Sequence, residues 1–446
     1  MDKTQLWETR PLEFWAMAKE LRADWQKSLV EENNIVTGQG NAGMFDWAPA
    51  FPAINIVEDN PAGAMMGNKN SRFARVARLA SESRGWGREI CGYHNNCWGA
   101  QFLGYQEDNL PFQYRQFVVP FPCVCDSHGK RGQQCRDFSA VPQWMADQCI
   151  YFGEHRADRD APMLDHKAWC QLRILNDIER IFNQPFDQEE YVHQINMMSE
   201  IKKLAKEVSI IMTTTVPAPI SVKDLYSVYT IGGLTKIDPE KTLKFWRVVR
   251  DEVKWRAEHQ IAAVGNERFR WIEAHPPSWH MLKYYRYMEK YGAVCLGSQY
   301  SHIMSGGLQI RPDGTVDGDW ELEPKGCDPF PADLPVETRE DAVRLGFGPD
   351  ARYPFTFKID EYLYPNKIVE FAKIAKANGA LLGLWRCGVG CTLTRKEQAI
   401  KLREAGYNVM TYEGSQPGDR TDMDEKRFFD QLDAWMDSLG LEKLVD

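Results

Sequence analysis

An apolar run that ends in a thiol and a polar, glycine-containing turn recurs in this chain, and that recurrence narrows the folds open to it. Residues Phe117 to Cys135, FVVPFPCVCDSHGKRGQQC, begin as a buried strand and open into Cys-Val-Cys, an Asp-Ser pair and a Gly. A strand apolar on both faces belongs in a parallel sheet, and open α/β sheets bind ligands at the carboxyl ends of such strands. The pattern returns at Gly383 to Cys391, GLWRCGVGC, and a third thiol, Cys91, precedes a glycine-rich stretch in EICGYHNNCWG. Three such places point to a shared centre.

A chain of 446 residues exceeds what one hydrophobic core usually supports. Strand-length apolar runs alternate with helical stretches, so the expected fold is α/β. It consists of two doubly wound parallel-sheet lobes of the flavodoxin or Rossmann kind, an added helical domain and an N-terminal helical arm. The expected boundaries are an arm and cap over 1–87, a first lobe over 88–161, a helical domain over 162–263 and a second lobe with a closing helix over 264–446.

In the arm, PLEFWAMAKELRADWQKSL spaces its apolar residues for an amphipathic helix, the glycine- and proline-rich stretch after it reads as irregular, and SRFARVARLASESRGWG is a second helix. In the first lobe QCIYFG is a further strand. In the helical domain Asp187 and Glu190 form a capping box, and Asp238 with Pro239 starts another helix. In the second lobe the strands are RFRWIEAH, GAVCLGSQY, GALLGLW and NVMTYEG.

A net charge of −9 and no extended basic patch exclude a general nucleic-acid surface. No window approaches the roughly 18 apolar residues of a membrane span, and the N-terminus lacks a secretory h-region, so the expected location is cytoplasmic. In a reducing compartment the eleven cysteines are core residues, metal ligands or redox groups rather than a disulfide framework.

Cys91, Cys125 and Cys387 each stand at a strand end or helix start, beside small residues that admit a bulky ligand. Helix N-termini favour the thiolate form. Three thiolates can hold a [4Fe–4S] cube by three irons and leave the fourth open to substrate. The rival readings are buried apolar thiols and a zinc site of Cys123, Cys125, Cys387 and Cys391, whose Cys-x-Cys and Cys-x-x-x-Cys spacings depart from the usual knuckle. Cys97, Cys123 and Cys391 remain as neighbouring thiols.

REICGYHNNCWGAQFLG, PCVCDSHGK, EAHPPSWHMLKYYRYMEKYGAVCLGSQYS and the tail GLWRCGVGC, EAGYNVMTYEG and FFDQLDAWMDSLG together resemble the benzoyl-CoA reductase and 2-hydroxyacyl-CoA dehydratase family. The opening PLEFWAMAKELR and the length are most similar to its larger cluster-bearing subunit in ATP-dependent benzoyl-CoA reductases. The resemblance implies that Cys91, Cys125 and Cys387 ligate the cluster, with Cys387 preferred to Cys391 on register. The additional Cys97, Cys123 and Cys391 leave a different ligand or a larger double-cubane cluster open.

The resemblance further implies a smaller sister subunit, two ATP-binding activator subunits, ferredoxin as electron donor, and benzoyl-CoA or a related aromatic acyl-CoA as substrate. The chain has neither GxxxxGK[ST] nor a strand-to-helix GxGxxG, so ATP and Mg belong on partner subunits. Reduction of a ring needs protons, and His94, His128, His302 and Tyr300 lie beside the expected strand ends. For each of them, a capped turn or a hydrogen-bonded interface is the simpler role. The alternatives to the reductase are a 2-hydroxyacyl-CoA dehydratase subunit and a non-catalytic scaffold subunit with a structural metal.

Overall fold

In the four-stranded sheet, short apolar runs pair in parallel because helices separate them in the chain. The structure is a computed structural model and describes residues 5–28, 34–38, 50–52, 55–58, 71–87, 91–105, 112, 117–118, 127–144, 157–229, 238–274, 277–278, 281–302, 307–317, 336–346, 365–384, 394–413 and 424–444. In chain order the elements are α1 (Trp15–Ser28), β1 (Asn34–Gly38), β2 (Asn55–Glu58), α2 (Ser71–Glu82), α3 (Gly92–Leu103), β3 (Phe117–Val118), α4 (Ser127–Ser139), α5 (Ala157–Phe182), α6 (Gln188–Thr214), α7 (Val222–Tyr229) and α8 (Pro239–Glu258). They continue as β4 (Phe269–Glu273), α9 (Lys283–Glu289), β5 (Ala293–Cys295), β6 (Gln309–Ile310), β7 (Val316–Asp317), α10 (Arg339–Gly346), α11 (Pro365–Ile374), β8 (Gly379–Leu384), α12 (Arg395–Glu404), β9 (Asn408–Glu413) and α13 (Glu425–Ser438).

The fold is α/β. One parallel sheet runs β5-β4-β8-β9, a second parallel sheet runs β2-β1-β3, and β6 with β7 forms a short antiparallel hairpin. Every residue of β4 is buried, as a central parallel strand requires. The four strands expected in the second lobe all form.

The stretch expected to be irregular after α1 instead contains β1 and β2. Each offers only a short Asn-Ile-Val core between polar and glycine-rich neighbours, and its strand form comes from pairing across the sheet. Because β1 pairs with β3, a boundary between residues 87 and 88 divides this sheet. The expected strand QCIYFG and the continuation of β3 through Cys123 lie outside the described residues.

Helix ends follow their chemistry. Asp187 Oδ1 accepts the Glu190 N–H at 2.9 Å, and Asp238 Oδ1 accepts the Lys241 N–H at 2.9 Å with Pro239 opening α8. Only half of the expected capping box forms: Glu190 turns instead to Gln194, and the Asp187 N–H donates to the Ala50 carbonyl. Phe14, just before α1, and Leu21 within it are buried, and the Glu252 carboxylate of α8 accepts the N–H groups of Glu13 and Phe14 at 3.0 and 2.9 Å. That negative charge at a helix N-terminus is favourable.

The main core surrounds the four-stranded sheet. A second cluster joins α5, α6 and α10, and a small one joins α2 and α3. The last pair cross in contact: a Cβ on Gly99 would lie 1.7 Å from the Ala77 carbonyl oxygen, so only glycine fits.

At the opposite edge from the strand ends, Arg270 of β4 is wholly buried. It donates to the carbonyls of Thr213, Thr215 and Ala375 at 2.8, 3.0 and 2.8 Å and to Glu267 Oε1 at 2.5 Å. One guanidinium thereby satisfies backbone carbonyls at the C-terminal ends of α6 and α11 and holds both helices against the start of the sheet.

Candidate functional site

The order β5-β4-β8-β9 places the second strand of this sheet to one side of the first and the third to the other. The chain therefore passes from one side of β4 to the other, the arrangement in which open α/β sheets form a ligand crevice at the carboxyl ends of their strands. A small, partly open pocket, with room for about one water molecule, lies at the carboxyl end of β4. β4 contributes Glu273 and Ala274, the turn after β5 contributes Ser298, Gln299 and Tyr300, α12 contributes Gln398, and α11 supplies the apolar wall of Ile368 and Phe371.

Gly297 makes that turn possible. Its φ is +86°, and a Cβ would meet Ser301 Oγ at 2.1 Å and Val222 Cγ2 at 2.8 Å. Its carbonyl accepts the Glu273 N–H at 2.9 Å, which fixes the strand end relative to the turn. Ser301 Oγ accepts the Ser298 N–H at 2.9 Å, and Gln299 bonds the Leu308 backbone with both ends of its amide at 2.9 Å. The polar wall is thus held by its own local network.

Glu273 is the principal ionisable group of the cavity. Its carboxylate accepts the hydroxyls of Tyr226 from α7 at 2.8 Å, Tyr284 at 2.9 Å and Tyr285 at 2.7 Å to each oxygen. Tyr284 and Tyr285 are consecutive on α9, and both reach the carboxylate because that helix lies over the strand end. Trp271 stacks on Tyr285 with ring centroids 5.7 Å apart, and Phe428 packs edge-on to Tyr284 at 6.0 Å.

Burial raises the Glu273 carboxyl to about 7 against the lowering effect of the three phenols. Burial beside that carboxylate raises the tyrosines well above the usual phenol range, so they stay protonated. Arg395 opens α12 from a fully buried position. Burial lowers it to about 9, and its positive charge opposes the rise at Glu273. The preceding Thr394 has φ +60°, a strained conformation for a β-branched residue.

Sequence reading passed over Glu273, its three tyrosines, Arg395 and Gln398. The available signal was an acid closing an otherwise apolar strand, FRWIE, followed by a Tyr-Tyr pair on the next helix.

Of the expected cluster ligands, Cys91 is described. It occupies the N-cap of α3, is 7% exposed and makes no side-chain bond to its own helix end. That position suits a thiolate, since the first-turn N–H groups favour negative charge. Cys125 and Cys387, with Cys123 and Cys391, lie outside the described residues. In sequence Cys125 follows β3 and Cys387 follows β8, each the third strand of a sheet whose first three strands run 2-1-3.

Among the described residues no group of three or more His, Cys, Asp or Glu side chains is arranged to hold a metal. Cys97 is buried within α3, as an interior thiol. The one described member of the donor set fits a thiolate-ligated cluster by chemistry and placement.

Two of the three expected histidines have described side chains. His94 sits buried in the first turn of α3, tilted against Trp98 with centroids 6.2 Å apart. His302 is buried, its Nε2–H donates to the Leu296 carbonyl at 3.0 Å, and burial lowers it to about 4. A neutral imidazole bound to backbone serves the turn rather than proton donation at neutral pH. His128 lies in the first turn of α4, its side chain outside the described set. Tyr300 lines the cavity, as its place beside the β5 end implied.

Fold and site together define a class: an α/β protein that places a polar, acid-containing cavity where a parallel sheet reverses its strand order. No helix among the described residues is long and apolar enough to cross a membrane. The family described as 2-hydroxyglutaryl-CoA dehydratase, D-component, matches residues 71–323, more than half of the sequence. The chain belongs to that family, whose members are components of acyl-CoA dehydratase- and reductase-type enzymes and typically bind a [4Fe–4S] cluster. No curated protein matches the sequence.

Proposed function

We propose that the chain is the larger cluster-bearing subunit of a cytoplasmic, ATP-dependent, ferredoxin-driven benzoyl-CoA reductase. Its product is a cyclohexadiene-carbonyl-CoA. The observation that supports this most is family membership combined with a thiol at the N-cap of α3 and two more thiols that follow third strands of parallel sheets.

In this reading Cys91, Cys125 and Cys387 would hold a [4Fe–4S] cluster as thiolates, and that cluster would supply single electrons to the ring of the acyl-CoA thioester. The first-turn N–H groups of α3 suit Cys91 to ligation. Trp271 and Phe428 pack against Tyr285 and Tyr284 and so orient their hydroxyls toward the Glu273 carboxylate. ATP hydrolysis belongs to two activator subunits with their own cluster, and a smaller sister subunit completes the assembly.

The name of the matching family favours a second reading, a 2-hydroxyacyl-CoA dehydratase subunit, in which the activated thioester expels a hydroxyl group. Anaerobic turnover of the assembled complex separates the two. Ring reduction of benzoyl-CoA supports the reductase, and turnover of a 2-hydroxyacyl-CoA alone replaces it with the dehydratase.

A further inference from the structure

A fully buried carboxylate costs several kcal/mol of lost hydration unless charge or hydrogen bonds offset it. Glu273 is 5% exposed, and its three bonded partners are neutral phenols rather than a bonded cation. Such a group has two accessible states. As a carboxylate it accepts three hydroxyls. As an acid it donates its own O–H, and one phenol turns from donor to acceptor, which a tyrosine hydroxyl can do without moving its ring.

We propose that Glu273, held by Tyr226, Tyr284 and Tyr285, is a proton store for the pocket at the sheet edge, taking up one proton when the complex is reduced and releasing it into that pocket. This deepens the reading above and its coupling to electrons rests on that reading. Uptake forms one O–H bond on a Glu273 oxygen at the expense of one in a solvent acid, and Glu273 itself is neither oxidised nor reduced. The electrons come from the iron–sulfur donor protein.

The surroundings tune the carboxyl rather than lock it. α7 and α9 present the three phenols, and β5 presents the Cys295 thiol, which burial and the Glu273 charge raise well above its usual range. α12 presents Arg395, whose positive charge acts on the carboxyl, β9 presents Tyr412 beside Arg395 and Tyr284, and α11 presents Ile368 and Phe371. The carboxyl sits near 7, where a proton is gained or lost readily, and it lines the cavity, so no relay is needed.

Two measurements test the proposal. Infrared spectra of the full chain labelled with ¹³C-glutamate, taken across about pH 5–9, should show a protonated carboxyl band that disappears near neutrality. The band should be lost in E273Q and kept in E289Q, which removes a second carboxyl raised by burial. Proton uptake on reduction of the iron-loaded complex, followed with a pH-indicator dye above pH 7, should then fall by up to one proton per copy of the chain in E273Q. A spectrum without that band, or uptake unchanged in E273Q, overturns the proposal. Iron analysis of the same samples reports separately on the cluster, and an iron-free chain would overturn the functional reading while the infrared titration still decides whether Glu273 holds a proton.

Discussion

Tyr285 donates its hydroxyl to both oxygens of Glu273, at 2.7 Å each. Even with that bond and two further phenols, burial dominates and the carboxyl lies near 7 rather than at its ordinary 4.5.

The folded protein therefore binds this proton more tightly than the unfolded chain. The stability that Glu273 contributes is fully present below about pH 4.5 and is lost as pH rises through about 7, a change of about 3 kcal/mol for a displacement of this size. Replacing it by Gln removes the dependence. Urea-unfolding midpoints measured from acid to alkaline pH should fall for the wild type and stay flatter for E273Q, with the two curves diverging through neutrality.

Arg270 and Glu267 form a pair 2.5 Å apart with no exposure on either side chain. Arg270→Leu leaves the Glu267 charge buried and frees three carbonyls, so it should destabilise by about 3–5 kcal/mol. Adding Glu267→Gln should return part of that loss, and denaturant unfolding of the single and double variants reads both effects.

Gly99 sets the crossing of α2 and α3, and α3 carries Cys91 at its start. Helix propensity alone would make Gly99→Ala favourable by about 1 kcal/mol. The contact outweighs it, because the new methyl meets a backbone carbonyl at less than van der Waals distance. Thermal unfolding should show a net loss of about 2 kcal/mol or more.

Much of the four-stranded sheet was legible in the sequence because RFRWIEAH, GAVCLGSQY, GALLGLW and NVMTYEG are apolar, strand-length and separated by helical periodicity. β1 and β2 were not, since a strand with only Ile and Val as its apolar core forms only when a neighbour pairs with it. Glu273 was hidden for a related reason: Tyr226 lies 47 residues away in the chain, and no local pattern announces that two helices will aim phenols at one strand end. The thiols were conspicuous by type and spacing. His302 looked available in sequence, but the backbone bond that ties it down forms only when the turn after β5 closes.

Cys170 lies buried on α5, its Sγ 3.5 Å from His166 Nε2 on the same helix, and belongs to the cluster between α5, α6 and α10. Cys170→Ser should leave iron content unchanged. Loss of iron there would show that interior thiols and cluster ligands have been sorted wrongly.

Iron and acid-labile sulfide in the complex purified with its partners under anaerobic conditions test the central claim most directly. The account predicts that the wild-type chain brings about four of each per copy, and that Cys91→Ser, Cys125→Ser and Cys387→Ser each lose most of them while the chain still folds and assembles. A colourless complex that contains only zinc, or iron and sulfide held at the full wild-type level in all three variants, beyond what the partner subunits carry, would contradict it.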